Sequence, residues 1–262
     1  MDGKSVPTFW EQLSATANVF GKWVDAHAKA LGKWVDAHQD EIRALGTWGT
    51  VNRACGEGRL YAPMHREAWL EITEAVRADD RADPPDYEGI IISAYQPGGV
   101  GYGALRDELL DAPLLRDRHR EVGEVLDSLA DGRNYVAVCG ALPLVEYVIS
   151  NAAGKWNHPQ KHLAELKRRL HDEDEIDGND TILLEYAAVQ MVLKEIPNVW
   201  KDGRQRVGAI VGELNRQHAL HGTGRGWDDS TNATRSVLLL AAAARVADPM
   251  FKPRAAMTVA AP

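Results

Sequence analysis

"NYVAVCGALPLVEYVISNA", residues 134–152, decides the fold. A stretch apolar on nearly every side reads as a helix buried at the centre of a domain, not one lying on its surface. Pro143 sits inside it and should kink it, because the ring removes a backbone donor and crowds the preceding turn. Glu146 is its only charged residue. A carboxylate taken out of water needs a partner. Two readings are open for it: an ion pair with a neighbouring helix, or a role in chemistry.

The pattern around this helix is helical too. From Ala104 onward, Leu109, Leu110, Leu114, Leu115, Val122, Val125, Leu126 and Leu129 predict one or two helices interrupted at Pro113. Beyond the central stretch, "HPQKHLAELKRRL" (158–170) predicts an exposed helix turning Leu163, Leu166 and Leu170 inward. "HDEDEIDGND" (171–180) resembles a calcium loop only superficially. With Gly178 at the sixth place, the twelfth is Leu184 where a bidentate Glu is needed, so the segment reads as an acidic turn. Helices are expected over 181–196, 204–221 and 231–247. The expectation is an all-α helical bundle without a sheet.

The first hundred residues read differently. "GKWVDAH" at 21–27 returns unchanged at 32–38, an offset of eleven residues or close to three helical turns. Trp10, Leu13, Ala17, Phe20, Val24, Leu31, Val35, Ile42 and Leu45 follow three- and four-residue steps, which predicts an amphipathic helix. His27 and His38, eleven apart, cannot share a metal ion on a straight helix. A Gly-rich break at 46–60 is followed by a helix in "PMHREAWLEITEAVRAD" (63–79). "DPPDYEGIIISAYQPGGVGYG" (83–103), with Pro and Gly around a β-branched run at 90–92, reads as a linker or a short strand-like crossing that could serve as a lid. "GGVGYG" lacks the spacing of a phosphate-binding loop. The division expected is a helical N-terminal region over 1–103 and a helical domain over 104–262.

Composition narrows the function classes. Of 262 residues, 45% are hydrophobic and 26% charged, the balance of a folded soluble domain. "SVLLLAAAARVA" is too short to span a bilayer and is broken by Arg245, and the opening residues lack the pattern of a signal peptide. No membrane partner is expected. Cys55 and Cys139 are far apart, in no metal-like spacing, and are read as reduced thiols of a cytoplasmic protein. A formal net charge of −8 argues against a protein that coats nucleic acid, but it leaves room for one small basic site. Arg204, Arg206, Arg216 and Arg225 collect in one segment and are the candidate substrate-binding cations.

That segment contains "LNRQHALHG" (214–222). Val207, Ile210, Val211, Leu214, His218 and His221 fall at three- and four-residue steps, so both histidines extend an apolar stripe. Arg216 and His221 are five residues apart, roughly 140° around an ideal helix. A bend at Gly222 or a second subunit would be needed to bring two such groups together. His158 and His162, four apart, lack the carboxylate of a zinc-hydrolase motif, and no metal or other cofactor is expected.

Arg216-Gln217-His218-Ala219-Leu220-His221 resembles the Arg-x4-His signature of the HEPN superfamily. The wider "ELNRQHALHGTGRGWDDSTNATRSVLLLAAAARV" is similar to the C-terminal helix pair of HEPN-like proteins in bacterial abortive-infection and anti-phage loci. "ALPLVEYVI" resembles the buried Glu-bearing helix that precedes the motif there. The resemblance covers about residues 104–250. It departs from the family at Gln217, where Asn, His or Asp is commoner; Asn215 and His218 could supply that polar function.

The resemblance implies a compact α-helical domain that dimerises, and in many members a metal-independent endoribonuclease. The residue types suit that chemistry. His221 titrates near neutral pH and can act as acid or base toward a ribose 2′-hydroxyl. Arg216 stays charged and can grip a phosphate through two donors. Asn215, Gln217, His218 and Glu146 would support them. RNA is then the substrate, a second copy the first partner, and an antitoxin or another defence protein a further one. The alternative is a non-catalytic HEPN-like module that binds RNA or protein as a sensor.

Overall fold

The computed structural model describes residues 47, 51, 65–79, 86–153, 188, 191–193, 195–197, 199–200, 214–221 and 226–251. At 66, 79, 217, 218, 221 and 248–251 it describes the backbone alone. Among these residues the chain is helical with no strand, as its apolar spacing predicts. The helices are α1 (Arg66–Asp79), α2 (Tyr87–Tyr95), α3 (Tyr102–Asp111), a 3-10 helix (Pro113–Arg118), α4 (His119–Ala130), α5 (Asn134–Ala152), α6 (Arg216–His221) and α7 (Ser230–Phe251).

The quoted stretch is α5, and it is the hub. Its longest contact runs along α7, and α4 covers a second side. Val138, Ala141, Leu142, Val145, Val148 and Ile149 of α5 are buried with Val237, Leu240, Ala241 and Ala244 of α7. Each large aliphatic side chain so enclosed stabilises the fold by roughly 1.5–3 kcal/mol. The small residues of α7 let the two backbones approach closely. At Gly140 a Cβ would come within 2.5 Å of Val125 Cγ2, so the missing side chain sets the distance between α5 and α4. The helix continues through Pro143, whose ring faces solvent and removes the donor to the Cys139 carbonyl. Among the described residues α5 is the one helix long and apolar enough to cross a bilayer; 56% of it is buried inside the bundle.

Pro113 interrupts the helical run where expected: α3 ends at Asp111, and the 3-10 helix begins at Pro113 and leads into α4. The last helix exceeds its predicted 231–247 at both ends. Asp229 caps it by accepting from the Asn232 N–H at 2.7 Å. Within its first turns Arg235 forms a buried ion pair with Glu195 at 2.9 Å and also donates to Asn232 Oδ1. The described residues of 188–199 are helical and mostly buried, in keeping with the helix expected over 181–196.

Two expectations are corrected. The run at 90–92 is not a strand-like crossing or a linker but part of α2. Asp86 caps that helix through the Gly89 N–H at 2.9 Å, and Ile91, Ile92, Ala94 and Tyr95 are buried. Burial of this face outweighs the weak helix preference of three β-branched residues. The second correction concerns 204–221. Leu214 and Asn215 are not helical, and α6 begins at Arg216. The Asn215 carbonyl accepts the first helical hydrogen bond, from Ala219 N–H at 2.9 Å, so Asn215 holds the cap position that its type favours.

The division placed at 103/104 does not coincide with a break in packing. Trp69, Ile72, Ile91 and Tyr95 belong to the same buried cluster as the core of α5 and α7. All described residues fall in one unit, Ala44–Pro262. The amphipathic stripe and repeat of 1–45, the exposed helix at 158–170 and the acidic turn at 171–180 lie outside the described residues.

Candidate functional site

α6 lies against α5, and three contacts fix it and the chain that follows it there. Glu146 is buried in α5 and meets Arg216, the first residue of α6, with Oε2 and Nη2 2.8 Å apart. Seven residues earlier on α5, the Cys139 thiol donates to the Ala219 carbonyl at 3.6 Å. One turn earlier again, the Tyr135 ring lies 5.3 Å from that of Trp227, tilted by 39°. Positions 135, 139 and 146 recur at helical spacing, so one stripe of α5 supports α6 and the chain after it. Going down that stripe, its partners run up the chain, 216, 219, 227. The two segments are therefore antiparallel.

Glu146 thus has the neighbouring-helix partner that its burial demands, and that partner is the candidate catalytic Arg216. The guanidinium side chain is 22% exposed and the carboxylate side chain 10%. Among the described residues the buried Nε of Arg216 has no hydrogen-bond partner. One amino group of the planar fork is therefore held by carboxylate, and the exposed part of the side chain is what another acceptor can reach. A carboxylate so engaged anchors the guanidinium. Asn215, fully buried, fixes where α6 starts and hence where Arg216 stands.

The backbone of Gln217, His218 and His221 is helical, so positions 216 and 221 stand roughly 140° apart on α6. The side chains of these three, and Arg204, Arg206 and Arg225 entirely, lie outside the described residues. Of the nine candidate residues, the structure brings Glu146 and Arg216 into contact and sets Asn215 beside them in the chain.

Cys139, Tyr135 and Trp227 were not singled out by motif. The available signal for the first two was the stripe they share with Glu146 on α5; Trp227 lies in the chain between α6 and α7. Burial pushes the Cys139 thiol up, and the Tyr135 hydroxyl offsets this only in part. The thiol therefore stays protonated and is a poor nucleophile. On a neighbouring face of α5, a groove of about 410 Å3 is lined by Val125, Gly140, Pro143, Leu144 and Tyr147, with Arg118 over the Tyr147 ring at 4.9 Å.

A second ionic cluster lies in the bundle. Arg245 of α7 grips Glu108 of α3 through two bonds of 2.7 Å. His65 Nε2 stands 2.9 Å from the same carboxylate, at ion-pair distance but out of line for a hydrogen bond. Burial pushes the Glu108 carboxyl up, but His65 and Arg245 together outweigh it and hold it below its ordinary value. Among the described residues no group of three or more His, Cys, Asp and Glu side chains is placed to hold a metal ion.

No family model, curated protein or solved structure matches the chain.

Proposed function

We propose that the chain is a metal-independent endoribonuclease of HEPN type, working in bacterial defence or as a toxin, with its site on α6. The observation that carries this reading is the Glu146–Arg216 pair. A carboxylate from the core helix holds a guanidinium whose side chain is still 22% exposed. A cation held rigidly before substrate arrives can stabilise a developing phosphorane without reorganising. In this reading Arg216 supplies the charge and His221 moves the proton. The 2′-hydroxyl attacks the adjacent phosphorus, the 5′-oxygen leaves, and a 2′,3′-cyclic phosphate remains.

Positions 216 and 221 stand roughly 140° apart on one short helix. A homodimer that sets one copy's Arg216 near the other's His221 would complete the site. Arg204, Arg206 and Arg225 would contribute phosphate contacts, and Asn215, Gln217 and His218 would support the motif. The proposed setting is the cytoplasm, without a membrane partner, and an antitoxin or another defence protein would restrain the activity.

One observation favours a second reading, a HEPN-like module that binds RNA or protein without cutting. An Arg already neutralised by a carboxylate 2.8 Å away is also what a structural ion pair looks like. The deciding experiment incubates the purified protein with RNA in EDTA. Cleavage leaving 2′,3′-cyclic phosphate ends supports the enzyme. RNA binding without cleavage supports the module, and activity lost with EDTA rejects the mechanism.

A further inference from the structure

We infer that Tyr135, backed by Trp227, is a stacking platform for one nucleobase of a single-stranded RNA whose phosphate is held at Arg216. This rests on the proposed RNA-cleaving site and adds a base-binding subsite to it. Among the described residues four large hydrophobic side chains are exposed: Val100, Tyr135, Val136 and Leu220. Three of these lie within one helical turn of the Cys139–Ala219 contact, where α5 and α6 cross. The exposed apolar surface is thus concentrated beside the helix that carries Arg216.

Within that patch Tyr135 is built differently from its neighbours. Tyr135 is 53% exposed, while Trp227 beside it is only 4% exposed. The phenol ring lies against an indole fixed in the core, tilted 39° to it, and about half of Tyr135 stays open to water. Such a ring is held in place at little further entropic cost, which suits it to receive a flat π-surface. Tyr135 stands eleven residues before Glu146, the partner of Arg216, about 16 Å along the helix axis. A base on the ring therefore lies a few nucleotides along the strand from a phosphate held at Arg216.

The surrounding charge separates the two parts of the nucleotide. Asp228 directly follows Trp227 in the chain and acts on the Tyr135 phenol, whereas Asp131 near the start of α5 is neutralised by Arg133 at 3.0 Å. Asp228 repels phosphate from the Tyr135 end. Arg216 attracts it at the other. The neighbouring Cys139 sulfur, and more weakly Asp228, push the Tyr135 phenol up, so the ring is neutral at physiological pH.

The test measures binding of hexanucleotides with 2′-O-methyl riboses, which cannot be cleaved, by fluorescence anisotropy. One series carries all bases; the others lack a single base at each position in turn. Tyr135→Ala, with helicity checked by circular dichroism, should weaken binding of the intact oligomer about tenfold, the effect of losing one base–aromatic stack. Tyr135→Phe should stay within about twofold of wild type. One abasic position should weaken wild type as much as Tyr135→Ala does, and weaken the variant no further. Wild type that binds the oligomer while Tyr135→Ala binds it equally well overturns the platform and leaves the nuclease standing. Wild type that binds no oligomer and cuts no RNA overturns both. A change of molar mass on Tyr135→Ala, seen by light scattering without a change in oligomer affinity, assigns the patch to contact between copies and overturns the platform.

Discussion

Glu146 Oε2 and Arg216 Nη2 stand 2.8 Å apart, joining the middle of the central helix to the first residue of α6. The contact bridges seventy residues of chain and makes Arg216 a structural cation as well as a proposed catalytic one. Loss of activity on removing Arg216 therefore does not by itself identify a chemical role. The stability of the pair has to be measured separately.

Removing either partner leaves a largely buried charge alone. Glu146→Ala and Arg216→Ala should each destabilise the protein by about 2–4 kcal/mol; partial exposure of Arg216 keeps the figure below that of a fully buried pair. Glu146→Leu combined with Arg216→Met should be less damaging than those same two changes made singly and added together, because no charge is stranded. Urea unfolding of wild type, Glu146→Leu, Arg216→Met and the double variant completes the cycle. Strict additivity would show that the two groups do not interact in solution.

The glycines offer a contrast between backbone preference and close packing. A Cβ at Gly101 would stand 2.6 Å from the Tyr95 ring and 2.8 Å from Ala68 Cβ, where α1, α2 and α3 converge. Gly101→Ala should destabilise by about 1–3 kcal/mol, because the ring must move off its place. Gly123, inside α4, has nothing within 4 Å of its would-be Cβ. Gly123→Ala should stabilise by roughly 0.5–1 kcal/mol through helix preference alone. Opposite shifts in thermal midpoint are the expected result; shifts of the same sign would contradict this packing.

Much of this fold was legible because its signals are local. The apolar run of 134–152, the stop at Pro113 and the need of Glu146 for a partner all follow from neighbours in the chain. α2 was not legible. Three consecutive isoleucines between Pro and Gly carry strand preference, and only the burial of Ile91 and Ile92 against distant residues makes them helical. Periodicity likewise extended the helix before Arg216, because an apolar stripe does not reveal that Asn215 acts as a cap. The partnership of His65, Glu108 and Arg245 spans up to 180 residues and leaves no spacing to read. Arg245 looked only like a break in an apolar run. Arg216 and His221 were found by motif; their setting on the stripe of Tyr135, Cys139 and Glu146 needed the fold.

That distant cluster predicts a pH dependence. The folded Glu108 carboxyl titrates below its ordinary value of 4.5. Near that value the unfolded chain therefore binds more protons than the folded one, and stability rises with pH. The contribution is fully present above about pH 4.5 and is lost as pH falls through the lowered folded value. Glu108→Gln should be less stable at neutral pH and should show a flatter acid limb in denaturant midpoint between pH 5 and about pH 3. An acid limb as steep as that of wild type would show that other carboxylates carry it.

The last prediction separates chemistry from architecture on α6. If His221 moves the proton, His221→Ala should reduce RNA cleavage in EDTA by at least about 10²-fold, the usual contribution of a general acid or base. Helicity and affinity for a 2′-O-methyl oligomer should be nearly unchanged. Arg216→Lys keeps a positive charge for Glu146 but loses the planar fork, so it should hold most of the stability that Arg216→Ala forfeits while still losing most of the activity. His218→Ala should lower the unfolding midpoint more than the cleavage rate. The informative comparison is Arg216→Lys with His221→Ala, because neither strands the carboxylate of Glu146. If both fold and cut RNA as wild type does, the motif is not the catalytic centre. If the wild type binds RNA without cutting it and Arg216→Lys weakens that binding, α6 is a phosphate-binding helix of a sensor module.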